Sequence, residues 1–180
     1  HLDRESIPIP VPDDSLLTAK SRLEQLTLNV FDLGGQEEYA AVQSLYLQGE
    51  SLFLLIVEAP KASDEHVEDA VYRFTTLIQT RAPRGTILLV LSKIDLVDDD
   101  ECEKCRKWLL KVVNQRLETW RAAVEARNER EGEAAEPLPM VHVEQTVLAV
   151  SVGDGELPSR GIDDLVRTIL RLTNRFPTVG

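Results

Sequence analysis

The chain has 180 residues and is 43% hydrophobic, which suits a single globular domain with a full core. Its 31 acidic and 20 basic residues give a formal net charge of −11, so non-specific nucleic-acid binding is not expected, because the chain repels polyphosphates at long range. No apolar run reaches transmembrane length and no signal peptide is visible, so we expect a cytoplasmic protein without a transmembrane segment.

The N-terminal part of the chain predicts a strand preceded by an edge segment. Residues 1–21 are poorly patterned, and the alternating prolines of IPIPVP (residues 7–12) exclude a central strand there, because proline cannot donate to a sheet ladder. Residues 23–31 alternate apolar and polar side chains and are rich in Leu, Thr and Val, which predicts a strand. Residues 38–47 predict a short amphipathic helix.

The remainder alternates predicted strands and helices. SLFLLIV (51–57) and TILLVL (86–91) are continuously apolar, which predicts strands that are buried on both faces. Apolar residues at helical spacing predict helices over residues 64–81, 98–130 and 161–173. The prediction allows one break in the helix at 98–130. A last strand is predicted within residues 141–150, at 147–150. This order predicts an α/β fold, a mostly parallel sheet flanked by helices.

Polar clusters follow three of the predicted strands. They are DLGGQ (32–36), SKID (92–95) and SVG (151–153). Because ligands of parallel sheets bind at the carboxyl ends of the strands, we expect the three clusters to converge on one edge. Each cluster alone also fits an ordinary turn, or a helix start that is capped by Asp95.

The order and spacing of these clusters resemble the motifs of Ras-like GTPases. The matching positions are Asp32, Gly35 and Gln36 for the third motif, Ser92, Lys93 and Asp95 for the fourth, and Ser151 and Val152 for the fifth. Within that superfamily the chain resembles the Roc domain (Ras of complex proteins) of leucine-rich-repeat Roc–COR proteins. LTLNVFDLGGQEEYAAVQSLYLQGESLFLLIVE and IQTRAPRGTILLVLSKIDL carry the resemblance, which covers residues 23–173 and implies a Ras-like P-loop NTPase fold.

The resemblance implies a site for GTP or GDP and Mg²⁺. In the third motif, Asp32 would hold the metal through water, because a hard cation prefers oxygen ligands. The N–H of Gly35 would reach the γ-phosphate, and Gln36 would be the catalytic residue that orients the attacking water.

The fourth and fifth motifs would recognise guanine. Asp95 would accept hydrogen bonds from N1–H and the 2-amino group, and the stem of Lys93 would lie along the base. A backbone N–H near Ser151 and Val152 would meet O6. Ser92 stands where relatives have Asn or Thr, so we expect weaker base affinity than in those relatives.

The chain contains no G-x-x-x-x-G-K-[ST] loop, whose N–H groups would cradle the phosphates. In Ras-like folds the strand before that loop lies mid-sheet, between the strand ending at Asp32 and the strand at 51–57. Its loss would orphan two rows of buried N–H and C=O groups, so we expect this strand and loop upstream of residue 1. Two alternatives remain open: a neighbouring copy supplies the strand or the sheet closes up, or a degenerate GTPase re-pairs its sheet and binds no nucleotide.

The implied function is a GTP/GDP switch within a larger signalling protein. Residues 1–22 would be a switch-I-like or edge segment, 23–173 the GTPase domain, and 174–180 a linker toward a COR-type domain. The expected partners are that COR-type domain and a second copy of the chain in a homodimer. GTP hydrolysis is expected only where a P-loop completes the site. The alternatives are a degenerate GTPase fold that serves as a protein-interaction or dimerisation module, and an unrelated α/β fold with coincidental turns.

Cys102 and Cys105 form one C-x-x-C in a charged, helix-like stretch. A zinc site needs about four ligands, and the three scattered histidines offer no cluster to supply them. A thioredoxin-like motif would need a preceding strand. The favoured interpretation is two reduced thiols on a helix.

Overall fold

The structure is a computed structural model that describes residues 4–10, 25–31, 49, 51–131, 139–153 and 158–173. The chain divides into two compact units, residues 1–43 and 44–180, and each is described by itself. The helix predicted at 38–47 lies outside the described residues, as do Asp32, Gly35 and Gln36.

The first unit contains an antiparallel pair of strands, β1 (Arg4–Pro10) and β2 (Gln25–Phe31). Its register places Arg4 opposite Phe31 and Pro10 opposite Gln25. Strand β2 falls within the predicted strand at 23–31. Strand β1 carries two of the prolines in a two-stranded sheet, which agrees with the prediction that this segment can form only an edge.

The second unit is built on a parallel sheet in which β4 (Thr86–Ser92) is central. Strand β3 (Leu52–Glu58) pairs with one side of β4 along its whole length. Two short strands, β5 (His142–Val143) and β6 (Leu148–Ala149), pair with the two ends of β4. One strand was predicted in this part of the chain, at 147–150, but the structure has two short strands, β5 and β6. The polar residues between them interrupt the ladder, and the Gln145 side chain donates to the Val143 carbonyl at 3.0 Å.

Three helices among the described residues agree with the predicted ones: α1 (Glu65–Arg81), α2 (Asp99–Glu131) and α3 (Ile162–Thr173). Carboxylates cap the N-termini of the first two helices by accepting hydrogen bonds from backbone N–H groups that have no partner within the helix. Asp64 accepts from the N–H of His66 at 2.8 Å, and Asp98 accepts from the N–H of Glu101 at 2.7 Å. Helix α2 is continuous over 33 residues, so the break that the prediction allowed for does not occur.

The core of this unit is centred on β4, whose residues from Ile87 to Leu91 are at most 1% exposed. On one face, Leu88 and Val90 pack with Val150 and with Leu172 of α3. Burial on both faces, predicted for residues 86–91, is therefore confirmed for residues 87–91, whereas Thr86 is partly exposed. The hydrophobic run supplies side chains to each face in turn, since successive strand residues point to opposite sides.

Strand β3 differs from β4 because part of one face is exposed. Leu54 is 37% exposed and Ile56 is 57% exposed. The parallel register sets Leu54 beside Leu88 and Ile56 beside Val90, so both lie on the face that α3 covers at β4. The prediction that residues 51–57 are buried on both faces is therefore wrong. Among the described residues, β4 is also the only strand that pairs with β3.

A buried amide ties α1 to the segment before β5. Gln79 is 2% exposed; its Nε2 donates to the carbonyl of Pro139 at 3.1 Å, and its Oε1 accepts from the N–H of Val141 at 2.9 Å. Both backbone partners depend on this one side chain, so it sets where the chain enters β5.

We expect Gln79→Leu to lower the free energy of unfolding by about 1–3 kcal/mol, because it leaves two backbone groups without their partner. Urea unfolding followed by circular dichroism would measure the change. The control is Gln115→Leu on the exposed surface of α2, which should cost less than about 0.5 kcal/mol. Equal losses in the two variants would contradict a bridging role for Gln79.

Candidate functional site

The candidate site lies where β3 and β4 end side by side. The register pairs Glu58, the last residue of β3, with Ser92, the last residue of β4. The hydroxyl of Ser92 donates to the carbonyl of Val57 at 3.4 Å, a long bond that joins the two strand ends. Ser92 therefore braces β4 against β3, and its side chain is only partly exposed.

Lys93 turns the chain sharply out of β4. Its backbone is left-handed, with φ 57° and ψ 40°, and it precedes a short 3-10 helix, Ile94–Leu96. Its ammonium lies 2.6 Å from Oε1 of Glu58, while the ammonium of Lys61 lies 2.8 Å from Oε2 of the same carboxylate. Hydrogen bonds from Lys61 and then from Lys93 hold the pKa of Glu58 at about 2, so this carboxylate is ionised at neutral pH.

Asp95 presents a carboxylate to solvent. Ile94 is 6% exposed and anchors the 3-10 turn in the core, whereas Asp95 next to it is exposed. No hydrogen bond or ion pair joins the Asp95 side chain to another residue in the part of the chain that the structure describes. The helix that follows is capped by Asp98, so the alternative interpretation of Asp95 as a helix cap finds no support in this geometry.

The fifth-motif segment is hydrogen-bonded to the fourth. The N–H of Val150 donates to the carbonyl of Leu91 at 2.7 Å, and the N–H of Ile94 donates to the carbonyl of Val150 at 3.4 Å. Ser151 is 3% exposed and exchanges two backbone hydrogen bonds of 3.0 Å with Arg160. The structure thus brings the segments at 92–95 and 151–152 together at the carboxyl ends of the strands.

Two large apolar side chains are exposed on these segments. Val152 is 80% exposed, and Leu96, directly after Asp95, is 64% exposed. Apolar surface beside a few polar groups is the usual lining of a site for a flat organic ring. The sequence predicted Val152 as a candidate site residue but not Leu96. The position of Leu96 directly after Asp95 was the signal that could have identified Leu96.

Residues 11–95 match the family model described as "Ras of Complex, Roc, domain of DAPkinase". The matched segment includes the third and fourth motifs and ends at Asp95. Residues 11–95 therefore match the Roc family, as the motifs predicted. The match covers just under half of the chain, and the parallel sheet and helices of the second unit continue beyond it to Thr173.

Two curated proteins are similar to this chain. Human "Malignant fibrous histiocytoma-amplified sequence 1" is 30% identical over 77 residues, 42% of this chain and 7% of that protein. The "Intraflagellar transport protein 27 homolog" of Trypanosoma brucei brucei is 27% identical over 93 residues, 52% of this chain and 44% of that protein. The chain therefore spans less than half the length of either relative.

A solved structure shares the fold. The "Structure of methanosarcina barkeri Roco2 RocCORdC bound to GDP" matches 96% of this chain and 38% of its own, with a TM-score of 0.50 and 16% identity. The likeness shows the predicted Ras-like α/β fold, a parallel sheet flanked by helices. No helix among the described residues is long and apolar enough to cross a membrane.

The two cysteines of the chain lie on α2, as predicted, and are free and buried. Burial raises the pKa of the Cys105 thiol, and its Sγ lies 3.6 Å from the carbonyl of Ala59. No group of three or more potential metal ligands occurs in the described ranges. Both thiols thus serve as small core side chains of α2, and Cys105 contacts the segment after β3.

Proposed function

We propose that this Roc domain binds GTP and GDP with Mg²⁺ and acts as a switch within a larger, cytoplasmic signalling protein. The observation that carries the proposal is the exposed carboxylate of Asp95, which has no hydrogen-bond or ion-pair partner among the described residues. It lies beside a fifth-motif segment that is hydrogen-bonded to the turn at 94–96. The match of residues 11–95 to the Roc family and the GDP bound to the solved relative support it.

In this proposal, guanine is recognised at the ends of β4 and β6. Asp95 accepts from N1–H and from the 2-amino group, a donor pair that adenine lacks, so this carboxylate selects the base. A backbone N–H of the Ser151–Val152 segment donates to O6. The stem of Lys93 and the exposed side chain of Leu96 offer the base apolar surface.

The switch and the hydrolytic step are assigned to the third motif. Asp32 holds Mg²⁺ through water, and the bound ion would neutralise charge on the phosphates. Gly35 donates its N–H to the γ-phosphate, which orders the segment after β2 until hydrolysis releases it. Gln36 orients the attacking water. These roles come from the resemblance of residues 32–36 to the third motif of Ras-like GTPases.

A phosphate-binding loop outside residues 1–180 would complete this site. Support comes from β3, whose far edge has no partner among the described strands and whose side chains Leu54 and Ile56 are exposed on the α3 face. A strand that pairs with that edge, followed by a helix on that face, would satisfy the backbone groups and cover both side chains. The start of such a helix would then face the carboxyl ends of the strands, where backbone N–H groups can hold phosphate.

A second candidate function is a protein-interaction or dimerisation module on a degenerate GTPase fold. The feature that favours it is Ser92, in place of the usual Asn or Thr. A COR-type domain in the same protein and a second copy of the chain are the partners proposed for either function. The exposed Asp95 carboxylate favours the nucleotide-binding function, since an interaction module has no need of it.

We expect the intact protein to bind GDP with micromolar or tighter affinity when Mg²⁺ is present, and residues 1–180 alone to bind almost none. The difference arises because the P-loop supplies the N–H groups and lysine that hold the phosphates. Calorimetric titration of the two proteins with GDP would measure it.

ADP serves as the control ligand, because its base lacks the donor pair that Asp95 requires. Equal affinity for ADP and GDP in the intact protein would contradict the assigned base site. Tight GDP binding by residues 1–180 alone would contradict the need for a further loop. No GDP binding by the intact protein would favour the interaction module.

A further inference from the structure

Glu58 is a charged residue beside the candidate base site and has no role in the function proposed above. It is the last residue of β3, and the register sets it beside Ser92, one residue before Lys93. The side chain of Lys93 reaches back across the strand ends to it, with 2.6 Å between Nζ and Oε1. The lysine of the fourth motif is therefore already held in one position without a ligand.

We infer that Glu58 is a positioning residue for guanine recognition, which places the stem of Lys93 before the base arrives. This inference rests on the proposed nucleotide-binding function. Glu58 acts through Lys93 and is not assigned a contact with the nucleotide.

Both oxygens of the Glu58 carboxylate are engaged, which limits its rotation. Oε1 pairs with Nζ of Lys93, and Oε2 lies 2.8 Å from Nζ of Lys61. Lys61 ends the 3-10 turn Ala59–Lys61, which contacts the turn that carries Asp95. The carboxylate thus sits between two cations from neighbouring turns and joins them at the end of the sheet.

The ion pair between Glu58 and Lys93 should raise the affinity for guanine nucleotides, because it orders the lysine side chain before the base binds. A free lysine side chain samples many rotamers, and ordering it against a base has an entropic cost at the moment of binding. The ion pair with Glu58 restricts the side chain of Lys93 before a base binds. A base would then meet a stem that needs little further ordering.

The exposure of the pair sets the size of the effect. The side chain of Lys93 is 53% exposed and that of Glu58 is 33% exposed, so a ligand can reach the stem, and solvent and salt screen the charges. We therefore expect a modest contribution to affinity, roughly two- to fivefold, the range of exposed ion pairs.

The test is a double-mutant cycle in the intact protein, with GDP affinity measured by calorimetry. Glu58→Gln should weaken GDP binding by roughly two- to fivefold. Lys93→Met keeps an apolar stem but removes the ammonium, so adding Glu58→Gln in that background should change nothing further. A residue that merely stabilised the fold would weaken binding in both backgrounds.

Lys104→Met is the matched control, because Lys104 is also an exposed, ion-paired lysine but lies on α2, in a pair with Glu101. It should leave GDP affinity unchanged. If Glu58→Gln does not fold, Glu58→Asp keeps the charge on a shorter side chain and should weaken GDP binding in the same sense.

The outcomes separate this inference from the proposed function. If the wild-type protein binds no GDP, the proposed function fails and the inference fails with it. If the wild type binds GDP and Glu58→Gln binds equally well, or is weakened equally with and without Lys93, the inference is overturned while the proposed function stands.

Discussion

Gly161→Ala is expected to lower the free energy of unfolding by about 2–5 kcal/mol. The backbone of Gly161 has φ +71°, a conformation that costs a residue with a side chain about 1–2 kcal/mol. A Cβ at this position would also overlap the carbonyl oxygen of Ala149 in β6 and come within 3.4 Å of Cγ1 of Val150. Both contacts are with the segment that leads into the fifth motif. Urea unfolding followed by circular dichroism would measure the loss.

Gly49 offers the matched control for Gly161. Its φ is +64°, close to that of Gly161, but nothing lies within 4 Å of the position that a Cβ would occupy. Gly49→Ala should therefore cost only the backbone strain, about 1–2 kcal/mol. The difference between the two variants isolates the contact with β6, and equal costs would show that this contact relaxes freely.

Asp95→Asn is expected to reduce the GDP affinity of the intact protein by on the order of 100-fold. The proposed carboxylate accepts two hydrogen bonds from the base, and bonds to a charged group contribute about 1.5–3 kcal/mol each. An amide keeps one acceptor oxygen and turns an N–H₂ group toward a donor of the base. Calorimetric titration with GDP and Mg²⁺ would measure the loss.

Base selectivity distinguishes a lost contact from a damaged fold. Xanthine carries a carbonyl where guanine carries the 2-amino group, so the amide introduced by Asp95→Asn should donate to it, and xanthosine diphosphate should lose less affinity than GDP or gain some. Asp98→Asn is the matched control, because Asp98 caps α2 and asparagine caps helices equally well. Unchanged GDP affinity in Asp95→Asn would favour the interaction module.

Helix positions were predictable because their signals are local. The run at 64–81 has apolar residues at helical spacing, and the acid at its start, Asp64, caps α1 in the structure. A continuous apolar run also predicted β4, since a strand between two helical layers has no polar face. The third and fourth motifs predicted the match to the Roc family in the same way, because both lie within residues 11–95.

The burial of β3 was not predictable from its own residues. LFLLIVE is as apolar as β4, yet Leu54 and Ile56 are exposed while their neighbours Leu88 and Val90 are buried. Exposure depends on which elements cover a face, and those elements come from other parts of the chain or from outside it.

The sequence by itself determined the order of strands and helices, the edge position of the proline-rich strand, and the residues proposed to meet the nucleotide. Only the tertiary structure decided that Lys93 is held by Glu58, that Asp95 faces solvent, and that the turns at 94–96 and 150–152 are hydrogen-bonded. The reason is physical: periodicity and capping act within a few residues, whereas an ion pair that spans 35 positions exists only once β3 and β4 are paired.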